Sequence, residues 1–260
     1  MTGRILTCSA LALLIACRPD AAGAQEAPAS GKDITRPLQR VDLRTEVADE
    51  GEEDVVTVTL RHDRPVELGD GWRLNLRADL PFKFVDRPET EAPGAVSGFG
   101  DVLVQAILVH RADERRAFGF GVQVRAPTSD RDVSSRNQWQ LLPTVGHRWS
   151  LPGISEESFF QAVARYRFSF GGSDDTPTIS ELQLSPNLEI GLPDRAYLSI
   201  FPSSDIHYDF RTDSVFLPVN LEVGKEWGRV VASLEGAVAM IDGKSAPYDW
   251  KLEARIGFRF

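Results

Sequence analysis

From Leu38 to Phe260 the chain alternates apolar and polar residues with a period of two. The last stretch shows this most plainly. Trp250, Leu252, Ala254, Ile256, Phe258 and Phe260 fall on one face of an extended strand, and Lys251, Glu253, Arg255 and Arg259 fall on the other, with Gly257 among them. Successive side chains of a strand point to opposite faces, so the segment has one oily face and one charged face. The pattern recurs upstream. Trp72, Leu74, Leu76, Ala78 and Leu80 alternate with Arg73, Asn75, Arg77 and Asp79. Phe118, Phe120, Val122 and Val124 alternate with Gly119, Gly121, Gln123 and Arg125.

Twelve segments qualify as strands: Leu38–Val47, Asp54–His62, Trp72–Phe84, Asp101–Arg111, Ala117–Pro127, Gln138–Trp149, Ser158–Phe170, Thr178–Gly191, Ala196–His207, Ser214–Lys225, Arg229–Ile241 and Tyr248–Phe260. Leu38–Val47 is the weakest, and without it ten is the fallback count. Ala196–His207 is irregular, interrupted by Pro202 and two serines. Strands of soluble proteins average about 5–6 residues, whereas a tilted strand crossing a bilayer needs about 9–11. These segments are of the longer kind.

The connections carry a second signal. With the N-terminus starting in the periplasm, the inner turns Ala112–Arg116, Leu192–Arg195 and Glu226–Gly228 are short. The outer loops Asp86–Gly100, Thr128–Asn137, Gly171–Pro177 and Asp242–Tyr248 are longer and polar, the asymmetry of outer-membrane barrels. Asp63–Gly71 departs from it, being too long for a minimal turn. Trp72, Trp139, Trp149, Trp227 and Trp250 all lie near strand ends, and Phe260 ends the chain, as residues of interfacial aromatic belts do. The competing reading is a secreted soluble β-protein, a sandwich or lipocalin-like barrel with its apolar face turned to a core. Strand length, end-placed tryptophans and loop asymmetry favour an all-β, antiparallel, up-and-down transmembrane barrel.

The N-terminus reads as a leader. Arg4 precedes the short apolar run Ile5–Ala16, and Ala22-Gly23-Ala24 has the small-residue pattern of a cleavage site. Residues 1–24 are then a signal peptide, 25–37 a flexible Ala/Pro/Ser/Gly-rich arm too short for a sizeable lumen plug, and 38–260 the barrel. A rival reading takes Leu14-Ile15-Ala16-Cys17 as a lipoprotein box with Cys17 acylated. Both cysteines, Cys8 and Cys17, lie in the leader, so cleavage after Ala24 leaves no thiol for disulfide, metal or nucleophile. The formal charge is −9, and losing the leader's two cations and one anion makes it −10. Basic and acidic residues are interspersed, which argues against a nucleic-acid partner. The expected partners are outer-membrane lipid and lipopolysaccharide, with the barrel-assembly machinery during biogenesis.

Function, on this reading, lies on the lumen face. Arg73, Arg77, Asp101, Gln123, Arg125, Arg165, Arg167, Glu181, Glu222, Glu235, Lys251, Glu253 and Arg255 should point inward. Two roles compete for them. Arg–carboxylate pairs cross-link the wall and fill a narrow lumen, or Arg77, Arg125, Arg165 and Arg167 form a basic ladder that attracts anionic or polar solutes. Lys251, Glu253 and Arg255 are expected to pair with the Glu235 strand or with the first strand. The enzyme alternative is an outer-membrane hydrolase. His147 and Ser150 are its nearest candidates, but their spacing does not bring them together on a strand, and no G-x-S-x-G, zinc spacing or phosphate loop is present. Catalytic residues, metal and cofactor are therefore expected to be none. Asp130, Asp132, Asp174 and Asp175 sit in outer loops, where solvated charge competes with a divalent cation bridging lipopolysaccharide.

Several short stretches also resemble one family. They are Gly98-Phe99-Gly100-Asp101-Val102, Ala126-Pro127-Thr128-Ser129-Asp130, Ile179 to Pro186, Phe216 to Asn220, Gly224-Lys225-Glu226-Trp227 and Asp249-Trp250. In order and spacing, from about Trp72 onward, they resemble the outer-membrane barrel family named for the MetA pathway of phenol degradation. The resemblance implies outer-membrane location and a channel role for small organic molecules. It specifies no solute. Its closing strand would carry a glycine near the position that Arg255 occupies here. The expected function is a passive channel for small solutes; the alternative is a non-transporting structural or adhesive surface barrel.

Overall fold

The computed structural model describes residues 33–87, 94–113, 115–130, 133, 137–172, 176–203, 205–243 and 246–260. Its strand segments are β1 (Arg40–Asp49), β2 (Asp54–Gly69), β3 (Trp72–Arg87), β4 (Gly94–Phe99), β5 (Leu103–Arg111), β6 (Arg116–Arg125) and β7 (Gln138–Ser150). They continue as β8 (Phe159–Gly172), β9 (Ser180–Leu192), β10 (Ala196–Ile200), β11 (Ile206–Asp209), β12 (Ser214–Trp227), β13 (Val230–Asp242) and β14 (Trp250–Arg259). All pair antiparallel. β4 and β5 lie end to end along β3, and β10 and β11 lie end to end between β9 and β12. The fourteen segments thus make a closed barrel of twelve strand positions. Closure is between the first and last strands, in register from Arg40↔Arg259 to Asp49↔Trp250.

The two faces are sorted in the reverse of a soluble protein. Leu43, Leu60, Leu80, Phe120, Val145, Val223, Val238 and Ile256 are exposed on the outside. Arg40, Asp42, Asn75, Gln140, Asn187, Glu222, Glu235 and Arg255 are buried inside. A soluble sandwich would place the apolar set in its core, so this distribution excludes the soluble reading and assigns the outer band to lipid. Trp139 and Trp250 stand at one end of the band. Trp72, Trp149, Trp227 and Phe260 stand at the other, with Trp72 stacked on His110 at 4.5 Å.

Four details differ from expectation. Asp63–Gly71 is not a long connection, because β2 runs on to Gly69 and a tight turn follows, with positive φ at Gly69, Asp70 and Gly71. Most of the expected outer loop Asp86–Gly100 is strand, since β3 reaches Arg87 and β4 pairs back along it. Ala196–His207 is not continuous; Pro202, Ser203 and Asp205 lie off the strands, between β10 and β11. The part of the expected flexible arm within the described residues is held in place. Asp33 and Ile34 are buried, Arg148 Nε lies 2.5 Å from Asp33 Oδ2, and Ile34 N donates to Gln161 Oε1 at 2.8 Å. Gly146, facing inward on β7, leaves the space that the Ile34 side chain occupies. The leader and the rest of the arm lie outside the described residues.

Candidate functional site

The lumen wall is built by the inward parity of each strand, and its charges sort into pairs between neighbours. Asp63 takes Arg40 at 3.1 Å and Arg77 at 2.7 Å. Arg61 and Asp79 pair at 2.6 Å, Arg44 and Glu253 at 3.1 Å, and Arg167 and Glu181 at 3.2 Å. Gln140 Oε1 accepts a second bond from Arg167 at 2.8 Å. Guanidinium groups suit such a wall because their planar fork bonds several acceptors at once.

A second network surrounds the break in the wall after β10. Phe201 takes a left-handed φ of 53°, which turns the chain out of the strand. Ser203 Oγ then donates to Glu235 at 2.7 Å, and Asp205 meets Lys251 Nζ at 2.6 Å and the Tyr248 hydroxyl at 2.9 Å. Lys251 also lies 3.5 Å from Glu46. Pro202, Ser203 and Asp205 line the central cavity, so this strap lies in the lumen.

Among the described residues, two sizeable cavities lie in the barrel interior. The central one is about 400 Å³, and the one toward the outer loops is about 610 Å³. They share Arg44, Glu46, Arg61, Asp79, Leu103, Arg125 and Arg167 as lining. Of the residues expected in the lumen, Arg77, Gln123, Arg125, Arg165 and Arg167 line the central cavity, and Asp101 and Glu253 line the outer one. Glu181 is buried against Arg167. Glu222, Glu235, Lys251 and Arg255 are buried in the wall. Arg73 sits at the inner rim, 2.6 Å from Glu67. Lys251 and Glu253 meet the first strand, as expected of them, but Arg255 turns to Glu222 at 3.1 Å rather than to β13.

Sequence reasoning missed Arg44, Glu46 and Arg61, although all share the inward parity of their strands. It also missed the inward apolar residues Leu103, Leu142 and Val163, which interrupt the polar parity. Nothing in the alternation marks Asp205, which lies off any strand.

The resembling motifs Gly98–Val102 and Ala126–Asp130 turn out to form one interlock. Asp130 and Phe99 bond in both directions, with Phe99 N donating to Asp130 Oδ2 at 2.8 Å and Asp130 N donating to the Phe99 carbonyl at 2.9 Å. Thr128 Oγ1 accepts from Val102 N at 2.9 Å, and Asp101 Oδ1 accepts from Ser129 N at 3.1 Å. The loop after β6 thereby bonds the gap between β4 and β5.

His147 and Ser150 do not form a dyad. His147 packs 4.0 Å from the Trp149 ring on the outer face, while Ser150 Oγ accepts from Arg148 Nη1 at 2.7 Å. Asp132, Asp174 and Asp175 lie outside the described residues, and among the described residues no three His, Cys, Asp or Glu side chains gather to hold a metal.

The fold has clear counterparts. A crystal structure of an outer membrane channel from Pseudomonas putida F1 superposes with a TM-score of 0.69 at 15% identity, covering 91% of this chain and all (100%) of that one. The NanC porin matches with a TM-score of 0.58 at 10% identity over 85% of this chain and 98% of that one. The translocator domain of the autotransporter NalP from Neisseria meningitidis matches at 0.53 with 12% identity, over 89% and 91%. At such identities these likenesses establish the barrel and no more. No curated protein sequence matches the chain. Residues 45–201 do match the family described as "Putative MetA-pathway of phenol degradation", more than half of the chain, and the protein belongs to that family.

Proposed function

We propose that the protein is a passive outer-membrane channel for small polar or amphiphilic solutes, exported by the leader at residues 1–24 and set in the lipid and lipopolysaccharide of that membrane. The observation that carries this reading is the pair of lumen cavities with common lining, leading from the outer loops to the barrel centre. Most of their lining is charged side chains, amides and hydroxyls, which replace part of a solute's hydration as it passes. The strap residues Pro202, Ser203 and Asp205 and the docked residues 33–36 narrow this path, so passage is selective for size.

The experiment is solute flux. Folded protein in liposomes should swell in small sugars or organic acids and give discrete current steps in planar bilayers. Absence of both, with folding verified by heat-modifiable migration, removes the channel reading. The second reading, a non-transporting structural barrel, draws on the wall's many ion pairs and would then stand.

A further inference from the structure

The central cavity has a composition that a bare water path does not require. Among the described residues, six arginines and three carboxylates, Glu46, Asp79 and Asp205, line it, and Arg44, Arg61, Arg77 and Arg167 are paired in the wall with Glu253, Asp79, Asp63 and Glu181. The cations are not spread evenly. Arg125, Arg165 and Arg167 come from β6 and β8, on one side of the barrel. Between and beside them lie Leu103, Leu142 and Val163. Leu103 is the register partner of Arg125, and Val163 precedes Arg165 by one inward position on β8. Leu142 and Val163 are 3% and 4% exposed, and both line the cavity. Apolar side chains in a polar lumen, beside cations on the same and neighbouring strands, give one cavity wall two chemistries.

We infer that this patch is a binding site for small amphiphilic organic anions. The carboxylate of such a molecule would lie against the Arg125, Arg165 and Arg167 guanidiniums, and its apolar body against Leu103, Leu142 and Val163. Guanidinium forks bond carboxylates bidentately and also stack on ring faces, so a single-ring acid matches both halves. The cavity, about 400 Å³, is within the range of small-ligand sites and takes one such molecule. The inference names the solute class of the proposed channel and rests on that reading for its role, though occupancy of the site does not need conduction.

Calorimetric titration of the folded, detergent-solubilised protein tests it, with benzoate as the anionic probe and benzyl alcohol as its neutral counterpart. Benzoate should bind saturably at one site, and benzyl alcohol should bind at least about tenfold more weakly, a gap of about 1.4 kcal/mol. Arg165→Gln alone, and Arg125→Gln with Arg165→Gln, should weaken benzoate stepwise, while Arg73→Gln at the inner rim should leave it unchanged. Equal binding of the two probes, or no saturable benzoate binding by folded protein, overturns the site; that comparison uses the unaltered protein and stands even if an arginine variant fails to fold. Because the readout is occupancy, a barrel that binds benzoate but passes no current sinks only the channel, and one that conducts but ignores benzoate sinks only the site.

Discussion

Arg255 on β14 reaches Glu222 on β12 at 3.1 Å, passing over the strand between them. Its Nη2 also donates to the Tyr197 hydroxyl on β10 at 2.6 Å. The register explains the reach. Tyr197 faces Gly224, Gly224 faces Ser233, and Ser233 faces Arg255 in one lateral row. The two middle residues are small, so the two large ones at the ends meet above them. A Cβ on Gly224 would collide with the Tyr197 ring. Arg255 thus takes the place of the glycine expected in the closing strand and ties the barrel's end to its neighbours.

Arg255→Ala should be costly for this reason. Both charges are at most 1% exposed, so removing one strands the other in a dry site. Breaking a buried pair in this way costs about 3–5 kcal/mol. Adding Glu222→Gln to Arg255→Ala should recover part of the loss, since the stranded charge is gone. Equilibrium unfolding in lipid vesicles measures both. Strictly additive losses would show that the two residues act separately.

The outward face predicts a depth-dependent penalty. Ala254 lies midway along β14, between Leu252 and Ile256, which are exposed on the lipid side. Ala254→Arg should cost about 2–4 kcal/mol, while Trp250→Arg at the end of the strand should cost about 0–1 kcal/mol for the charge itself. Equal costs at the two positions would contradict the placement of the hydrocarbon band.

The period of two made the barrel legible because lipid on one side and lumen on the other impose it at every turn of the pleat. It stops being informative where a strand leaves the hydrocarbon. At the inner end of β2 outward Arg64 breaks the apolar file before Val66 and Leu68, and exposed Glu67 adds a charge on the other face, so strand looked like loop. The same holds at the outer end, where β3 and β4 extend past Asp86. Arg125, Arg165 and Arg167 were readable by parity. The strap was visible only as disorder in the pattern around Pro202, because an inward fold has no period. The pairing of Arg255 with Glu222 depends on two small residues in a lateral row, and registers between strands are not written along one strand.

The interlock of the outer loop should fail locally. Asp130 accepts the Phe99 amide and Thr128 accepts that of Val102, both at the break between β4 and β5. Hydrogen bonds to a charged acceptor contribute about 1.5–3 kcal/mol. Asp130→Ala should therefore speed amide exchange at Phe99 and Val102 by about tenfold or more, with little change at β12–β14. Uniform acceleration through the barrel would mean that the motif supports global rather than local order.

The strap gives the prediction that bears most on passage. Asp205 is held by Lys251 and Tyr248, and Ser203 by Glu235, so beyond Phe201, whose N still donates to the Asn220 carbonyl, side-chain bonds keep the strap in the lumen. Asp205→Asn keeps the shape and an acceptor for Tyr248 but removes the charge that Lys251 faces. With the charge-assisted bond weakened, by about half on the usual scale, the strap should spend more time against the wall. Single-channel conductance should then rise, and the rise should be larger for bulky organic ions than for chloride, because a constriction discriminates by size. Lys251→Met should act in the same direction, since it loosens the same contact from the other side. A conductance unchanged in both variants would move the narrow point elsewhere, to the turn at Asp33–Arg36 that packs against Arg148 and Gln161. In that case Asp33→Asn, and not Asp205→Asn, should raise the current.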